Sequence, residues 1–170
     1  KVILDYAHTP DALKTLLINI KEQFPLSRIS LVFGCGGDRD KDKRFKMGKI
    51  ASMYAHKIYL TDDNPRSENP QIIRNEIKKG IRIKDMQEVP ERKKAILKCI
   101  NNLYSGDIAI IAGKGHEKTQ DYKGKKKYFS DRKEILKSIK KKNKSLFKDL
   151  QQKKKQKKTK KKTKKKKKKK

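Results

Sequence analysis

The chain has 170 residues, enough for one domain with a hydrophobic core and an appendage. Its formal net charge is +31, but residues 137–170 hold 21 Lys and one Asp, so most of the excess lies at one end. The remaining charge of +11 on residues 1–136 does not by itself indicate a nucleic-acid-binding domain.

Cysteine content and hydropathy narrow the class of protein further. The two cysteines lie far apart and lack the CxxC spacing, which argues against a disulfide framework or a zinc site. The sequence shows neither a signal peptide nor an apolar run approaching the length of a membrane span. These features predict a soluble, cytoplasmic protein with no membrane partner.

The Lys-rich end is predicted to be a separate segment. Its last twenty residues are only Lys, Gln and Thr, so the like charges of the lysines repel one another and no apolar side chain is present to bury. We therefore predict a folded domain over residues 1–140 and a disordered tail over 141–170. A translated poly(A) stretch would produce such a run and, with a first residue that is Lys, suggests a truncated sequence. A tail that binds nucleic acid or another anionic surface is the alternative.

Apolar runs alternate with amphipathic stretches along the rest of the chain. In chain order, the pattern predicts a strand at 2–4, a helix from Pro10, a strand at 29–34, a helix at 45–55, a strand at 57–61, a helix from Pro70 to Gly80, a weak strand at 86–89, a helix from Pro90, a strand at 107–113, a hairpin-like piece and a helix capped by Ser130. Strands alternating with helices predict a Rossmann-like α/β fold, with a mostly parallel sheet covered by helices on both faces.

Four polar, glycine-rich segments each follow a predicted strand: "DYAHTPD", "GCGGDRDKDKR", "TDDNPRSENP" and "AGKGHEK". In parallel sheets, ligands bind at the carboxyl ends of the strands, where such loops meet. The sequence therefore predicts one ligand site built from these four loops.

The first loop has two interpretations. Asp5 and His8 flank the start of a helix, whose free N–H groups favour an anion such as phosphate, and Tyr6 offers a flat face for a base. Alternatively, Asp5 only caps the turn and His8 is a surface residue.

The second loop carries Arg39 and Arg44, which can hold carboxylate or phosphate. The Asp residues at 38, 40 and 42 have the spacing of a calcium loop, but its Gly and distal Glu are missing, so we predict no metal site. In the fourth loop, Glu117 can accept an ammonium group. We predict that His56 lies inside a helix with a structural role, and that the chain holds no self-contained catalytic centre.

Five motifs in this order, "DYAHTPDAL", "FGCGGDRD", "TDDNPRSE", "AGKGHE" and "FSDR", resemble the C-terminal domain of the Mur ligase family. The resemblance covers roughly residues 1–140 and is greatest to the branch that adds diaminopimelate. It implies ATP-dependent amide synthesis in peptidoglycan biosynthesis. The carboxylate of UDP-MurNAc-L-Ala-D-Glu is phosphorylated to an acyl phosphate, which the amino group of meso-diaminopimelate attacks.

The resemblance also implies roles for individual residues. Asn64 and Arg66 of "DNPR" would hold the far amino-acid end of meso-diaminopimelate, with Arg66 pairing to its distal carboxylate. Arg39, Gly113 and Glu117 match further substrate positions, and Glu117 would receive the distal ammonium.

Asp5, Tyr6 and His8 match the segment that approaches the nucleotide. The family binds ATP and Mg²⁺ mainly through a central domain with a Gly-Lys-Thr/Ser phosphate loop, which does not occur in these 170 residues. We therefore expect the chain alone to be inactive in ligation. The alternatives are a domain from a lysine-adding or other Mur-type ligase, a non-catalytic module with a polybasic tail that binds nucleic acid, or a remnant without function.

Overall fold

The computed structural model describes the backbone of residues 1–167 and the side chains of 1–149, 151 and 152. The strands are β1 (Val2–Asp5), β2 (Ile29–Phe33), β3 (Lys57–Leu60), β4 (Met86–Glu88), β5 (Ile108–Ala112), β6 (Thr119–Tyr122) and β7 (Lys125–Tyr128). The helices are α1 (Pro10–Gln23), α2 (Asp42–Tyr54), α3 (Pro70–Lys78), α4 (Arg92–Asn101) and α5 (Asp131–Lys167).

Five strands form one parallel sheet in the order β1-β5-β2-β3-β4, and β6 and β7 form an antiparallel hairpin beside it. Successive side chains of a strand point to opposite faces, and both faces of this sheet are covered. Leu31 and its neighbour Ile110 pack with α1, α2 and α3, whereas Val32 and Ile111 pack with α4 and α5. The predicted α/β fold, with helices on both faces, is confirmed.

Local sequence explains where two of the helices start. Thr9 caps α1, with its Oγ1 accepting a hydrogen bond from the Ala12 N–H at 3.3 Å, and Pro10 occupies the first turn. Asn69 and Pro70 begin α3 in the same way.

The prediction that His56 lies inside a helix was wrong. Helix α2 ends at Tyr54 because Ala55 has extended dihedral angles, and His56 lies between α2 and β3. There its Nδ1 accepts a hydrogen bond from the Ile29 N–H at 3.0 Å, which ties the α2–β3 connection to the start of β2. The structural role predicted for this side chain agrees with that contact.

Helix α5 is joined to the sheet through its first three turns. Ile135 packs in the core beside α4, and Lys142 Nζ donates to the carbonyl groups of Ile100, at 2.8 Å, and Asn101 at the end of α4 and of Leu103 just after it. Beyond that point residues 143–149, 151 and 152 are exposed, while the backbone stays helical to Lys167. The domain boundary at 140 and the disorder of 141–170 stay predictions, and residues 168–170 lie outside the described part. No helix within the described residues combines the length and the apolar character needed to cross a membrane.

Candidate functional site

A cleft of about 610 Å³ lies at the carboxyl edge of the sheet. All four of the predicted loops contribute to it. Its lining includes Tyr6, His8, Arg39, Lys43, Asp63, Asn64, Arg66, Gly113 and Glu117. The structure therefore brings together seven of the eight predicted site residues, and only Asp5 is missing from the lining.

Arg66 projects into the cleft from an unusual backbone conformation. Its φ is +51°, in the left-handed region that side chains other than glycine rarely adopt. Its Nη1 donates to the Gly37 carbonyl at 2.7 Å. A Cβ atom on Gly36 would lie 2.7 Å from that same Nη1, so glycine at this position leaves room for the guanidinium.

The loop after β2 supports the 61–66 segment on one side. The Gly37 N–H donates to the Asn64 carbonyl at 2.8 Å, and a Cβ atom on Gly37 would lie 1.9 Å from the Pro65 carbonyl oxygen. Such a contact is impossible, so the two backbones approach this closely only because glycine has no side chain.

The β6–β7 hairpin supports the same segment on the other side. Arg66 donates from its N–H to the Asp121 carbonyl at 3.0 Å and accepts from the Lys123 N–H at 2.6 Å. The Gln120 side chain donates to the Asp63 carbonyl at 2.7 Å. The segment is therefore fixed by hydrogen bonds along both edges before any ligand arrives.

Asn64 and Glu117 are joined by a lysine for which the sequence patterns predicted no role. Lys114 is fully buried, and its Nζ donates to Asn64 Oδ1 at 2.9 Å and to Glu117 Oε2 at 2.8 Å. Asn64 Nδ2 donates to the same Glu117 oxygen at 3.0 Å. Partial burial favours a higher pKa for Glu117, but these hydrogen bonds and the Lys114 charge outweigh it and hold the pKa below its usual range.

Two charged residues of the loops bond to other side chains of the protein and stabilise the fold. Asp62 accepts hydrogen bonds from Arg74 Nη1 and, at 3.0 Å, from the Tyr122 hydroxyl. Arg44, proposed above as a ligand for carboxylate or phosphate, is fully buried and engaged by Glu68 and Glu76. Its guanidinium therefore faces protein carboxylates and has no access to a ligand.

The first loop lies at the rim of the cleft. Tyr6 is 44% exposed, and its ring centroid lies 4.6 Å from that of His8 and 5.5 Å from that of His116. The His8 Nδ1–H donates to the Tyr6 carbonyl at 3.0 Å, which leaves Nε2 for other contacts. Asp5 lies apart from the cleft lining, and its Oδ1 accepts from the Ala7 N–H at 2.7 Å, as expected for a turn cap.

The acidic residues of the second loop accept hydrogen bonds from other groups of the protein. Asp38 accepts a hydrogen bond from the Ser67 hydroxyl, and Asp40 Oδ1 accepts one from the Asp42 N–H at 2.9 Å. Across the part of the chain with described side chains, no three His, Cys, Asp or Glu residues converge as metal ligands would. Burial raises the pKa of the Cys35 thiol in the cleft wall to about 12, so it is not a ready nucleophile.

The chain matches known proteins over most of its length. Residues 1–115 match the family model described as Mur ligase, glutamate ligase domain. The chain is 49% identical over 140 residues to the UDP-N-acetylmuramoyl-L-alanyl-D-glutamate--2,6-diaminopimelate ligase of Rickettsia rickettsii, covering 82% of this chain and 29% of that protein. It is 45% identical over 143 residues to the protein of the same name from Chlorobium phaeobacteroides, covering 84% and 28%.

A solved structure of a UDP-N-acetylmuramoyl-L-alanyl-D-glutamate--2,6-diaminopimelate ligase superposes with a TM-score of 0.77 at 41% identity, over 82% of this chain and 29% of that one. The chain thus spans less than a third of the length of the curated relatives it matches. With the parallel sheet and the loops at its carboxyl edge, these matches show that the chain belongs to the Mur ligase family and contains its C-terminal domain.

Proposed function

We propose that this domain binds meso-diaminopimelate for an ATP-dependent ligase that adds it to UDP-MurNAc-L-Ala-D-Glu in the cytoplasm, during peptidoglycan biosynthesis. The observation that carries the proposal is the arrangement of opposite charges in the 610 Å³ cleft, where Arg39 and Arg66 accompany Asn64 and Glu117. The names of the curated relatives, at 45–49% identity, support the same substrate.

The far end of diaminopimelate is itself an amino acid, with one carboxylate and one ammonium group. In the proposed complex the carboxylate pairs with the Arg66 guanidinium, and Arg39 adds a second positive charge. The ammonium binds Glu117, whose Oε1 is not used by Lys114 or Asn64. Gly113, with φ +111°, carries no Cβ atom that would crowd Asp63 beside it.

Arg66 would provide selectivity against lysine, which lacks the distal carboxylate. Bound lysine would leave the half-buried guanidinium without its carboxylate partner. Sites built to bond a polar group reject analogues that lack it, because their own polar groups lose water without gaining a partner. Addition of lysine is therefore the rival function that the experiment must exclude.

The proposed reaction requires ATP and Mg²⁺. The γ-phosphoryl group would pass to the precursor carboxylate, and the amine would displace phosphate from the acyl phosphate to form the amide. We propose that ATP and Mg²⁺ bind mainly to the family's central domain. Tyr6 and His8 at the cleft rim, preceded by Asp5, would approach the nucleotide from this side.

Calorimetric titration of the 170-residue chain with meso-diaminopimelate and with L-lysine tests the proposal. We expect the wild-type chain to prefer diaminopimelate. Arg66→Ala should lose about tenfold or more of that affinity while changing lysine binding by less than about threefold, because only diaminopimelate brings a carboxylate to Arg66.

The exposed Arg82 provides the matched control, and Arg82→Ala should bind both ligands as the wild-type chain does. A folded wild-type chain that binds neither ligand, or that prefers lysine, would contradict the proposal. Unchanged selectivity in Arg66→Ala would remove Arg66 from it.

A further inference from the structure

Lys114 occupies a position where lysine is rarely found. Its side chain is 0% exposed and does not line the cleft. It instead contacts Glu117, which does line the cleft. A fully buried ammonium is unfavourable unless it is paired, and Lys114 is paired with groups from two loops. It contacts Asn64 after β3 and Glu117 after β5, and its Nζ lies 3.9 Å from Asp63 Oδ1.

These contacts fix the orientation of Asn64. Lys114 Nζ and the Asp121 N–H both donate to one side-chain atom of Asn64, at 2.9 and 3.1 Å, so that atom must be the carbonyl oxygen. The amide nitrogen is then directed to Glu117. Without Lys114, one of the two contacts that determine this orientation is lost.

Lys114 also sets the charge of one wall of the cleft. Asp63 and Glu117 together bring two negative charges to this wall, and Lys114 cancels one of them. The net charge of the acidic wall is therefore −1, the value that one ammonium group neutralises. At a partly buried site, a change of one unit charge near a charged ligand group has a large effect on affinity.

We propose that Lys114 is a positioning residue that determines specificity. It orients Asn64 and Glu117, and it limits the acidic wall to one net negative charge, so that the cleft fits an amino-acid end with one ammonium and one carboxylate. This inference rests on the proposed function, since it concerns the same ligand. Its prediction concerns the ratio of affinities for ligands that differ only at the distal end.

Three ligands test the two charges of the distal end individually. At that end meso-diaminopimelate carries both charges, L-lysine carries only the ammonium, and L-2-aminopimelate carries only the carboxylate. Removing the Lys114 charge in Lys114→Met makes the acidic wall more negative. We expect aminopimelate to lose about tenfold in affinity and lysine to gain, with diaminopimelate between them because its distal end carries both charges, so that the diaminopimelate-to-lysine ratio falls. Lys114→Gln, which retains a hydrogen-bond donor but not the charge, should shift the ratio in the same direction.

The exposed Lys118 in the same loop is the matched control, and Lys118→Met should leave all three affinities within about twofold of wild type. Asp63→Asn removes one negative charge and should shift the ratio the other way, against lysine. The double variant Asp63→Asn with Lys114→Met restores the net charge of the wall, so its ratio should return towards wild type. Structural damage alone would weaken all ligands together and would not reverse in this way.

The possible outcomes distinguish the inference from the proposed function. A folded wild-type chain that binds none of the ligands contradicts both. Selective binding by wild type, with an unchanged ratio in folded Lys114→Met and Lys114→Gln, overturns the role of Lys114 alone. If both single variants unfold, the comparison of Asp63→Asn with the double variant decides, and equal ratios in these two would overturn the inference.

Discussion

Gly36 and Gly37 are adjacent in sequence, but a side chain at each would meet a different obstacle. A Cβ atom on Gly36 would meet the end of the flexible Arg66 side chain, whereas one on Gly37 would collide with the rigid Pro65 backbone. The first glycine therefore leaves room for the Arg66 side chain, and the second allows the two backbones to approach.

We predict that Gly36→Ala displaces the Arg66 guanidinium and lowers diaminopimelate affinity by about tenfold, with a loss of stability below about 1 kcal/mol. Gly37→Ala should instead cost about 2 kcal/mol or more, because backbone atoms must move. Calorimetric titration and urea denaturation measure the two effects. Equal loss of stability in both variants would show that this separation is incorrect.

The sequence was most informative for residues that follow strands. The four loops could be assigned to one site because parallel strands bring them to the same edge. The resemblance to the Mur ligase family then implied which of their residues bind the ligand, namely Arg39, Asn64, Arg66, Gly113 and Glu117. The burial of Lys114 could not be predicted in the same way. A lysine between two glycines is normally exposed, and only the folded chain shows that it lies beneath two loops.

Among the elements, α4 and α5 are joined by a buried ion pair. Arg92 Nε and Nη2 donate to the two Asp131 carboxylate oxygens at 2.8 and 2.7 Å, and neither side chain is exposed. Nη2 also donates to the carbonyl of Ala112, the last residue of β5, at 2.9 Å. One guanidinium thus connects two helices to the end of β5.

We predict that Arg92→Met lowers the free energy of unfolding by about 3–5 kcal/mol, because it leaves the Asp131 carboxylate buried without its partner. Replacing both residues, as Arg92→Met with Asp131→Leu, should cost less than the single change. The exposed pair of Glu91 and Lys94 is the control, and Lys94→Ala should cost less than about 1 kcal/mol by chemical denaturation. A double variant less stable than Arg92→Met would contradict this account.

Element boundaries were predicted less well than element types. Helix α2 begins at Asp42, three residues before the first apolar residue of its pattern, because Asp40 Oδ1 accepts the Asp42 N–H. The hairpin itself could be predicted from its turn at Gly124. Its hydrogen bonds to Arg66 could not, because they join segments more than fifty residues apart that share no pattern.

At the scale of the whole molecule, acid stability depends on carboxylates held by buried arginines. The hydrogen bonds from Arg44 lower the pKa of Glu68 to about 2. Burial opposes the same shift at Glu88, but its hydrogen bonds from Arg74, Lys78 and Gln71 prevail and lower its pKa to about 2. Both groups bind protons more readily in the unfolded chain.

Because these folded-state pKa values are lowered from 4.5, their stabilising contribution is complete above that pH and is lost as the pH falls towards 2. We predict a steep decrease in the free energy of unfolding between pH 4.5 and 2. Glu68→Gln and Glu88→Gln should each flatten this decrease, whereas Glu22→Gln on the exposed side of α1 should not. Denaturant titrations across this pH range provide the measurement, and parallel curves for all variants would contradict the assignment.

The Lys142 ammonium, which donates to carbonyl groups at the end of α4 and just after it, has a consequence for how the chain tolerates substitution. Replacement of Lys142 would remove the hydrogen-bond donor from the carbonyl groups of Ile100, which is buried, and of Leu103, which is partly buried. Replacement of the exposed residues 143–149 removes none. Mutational drift should therefore be restricted at Lys142 and nearly free at the side chains of 143–149, so that tolerance to substitution changes abruptly within one turn of the same helix.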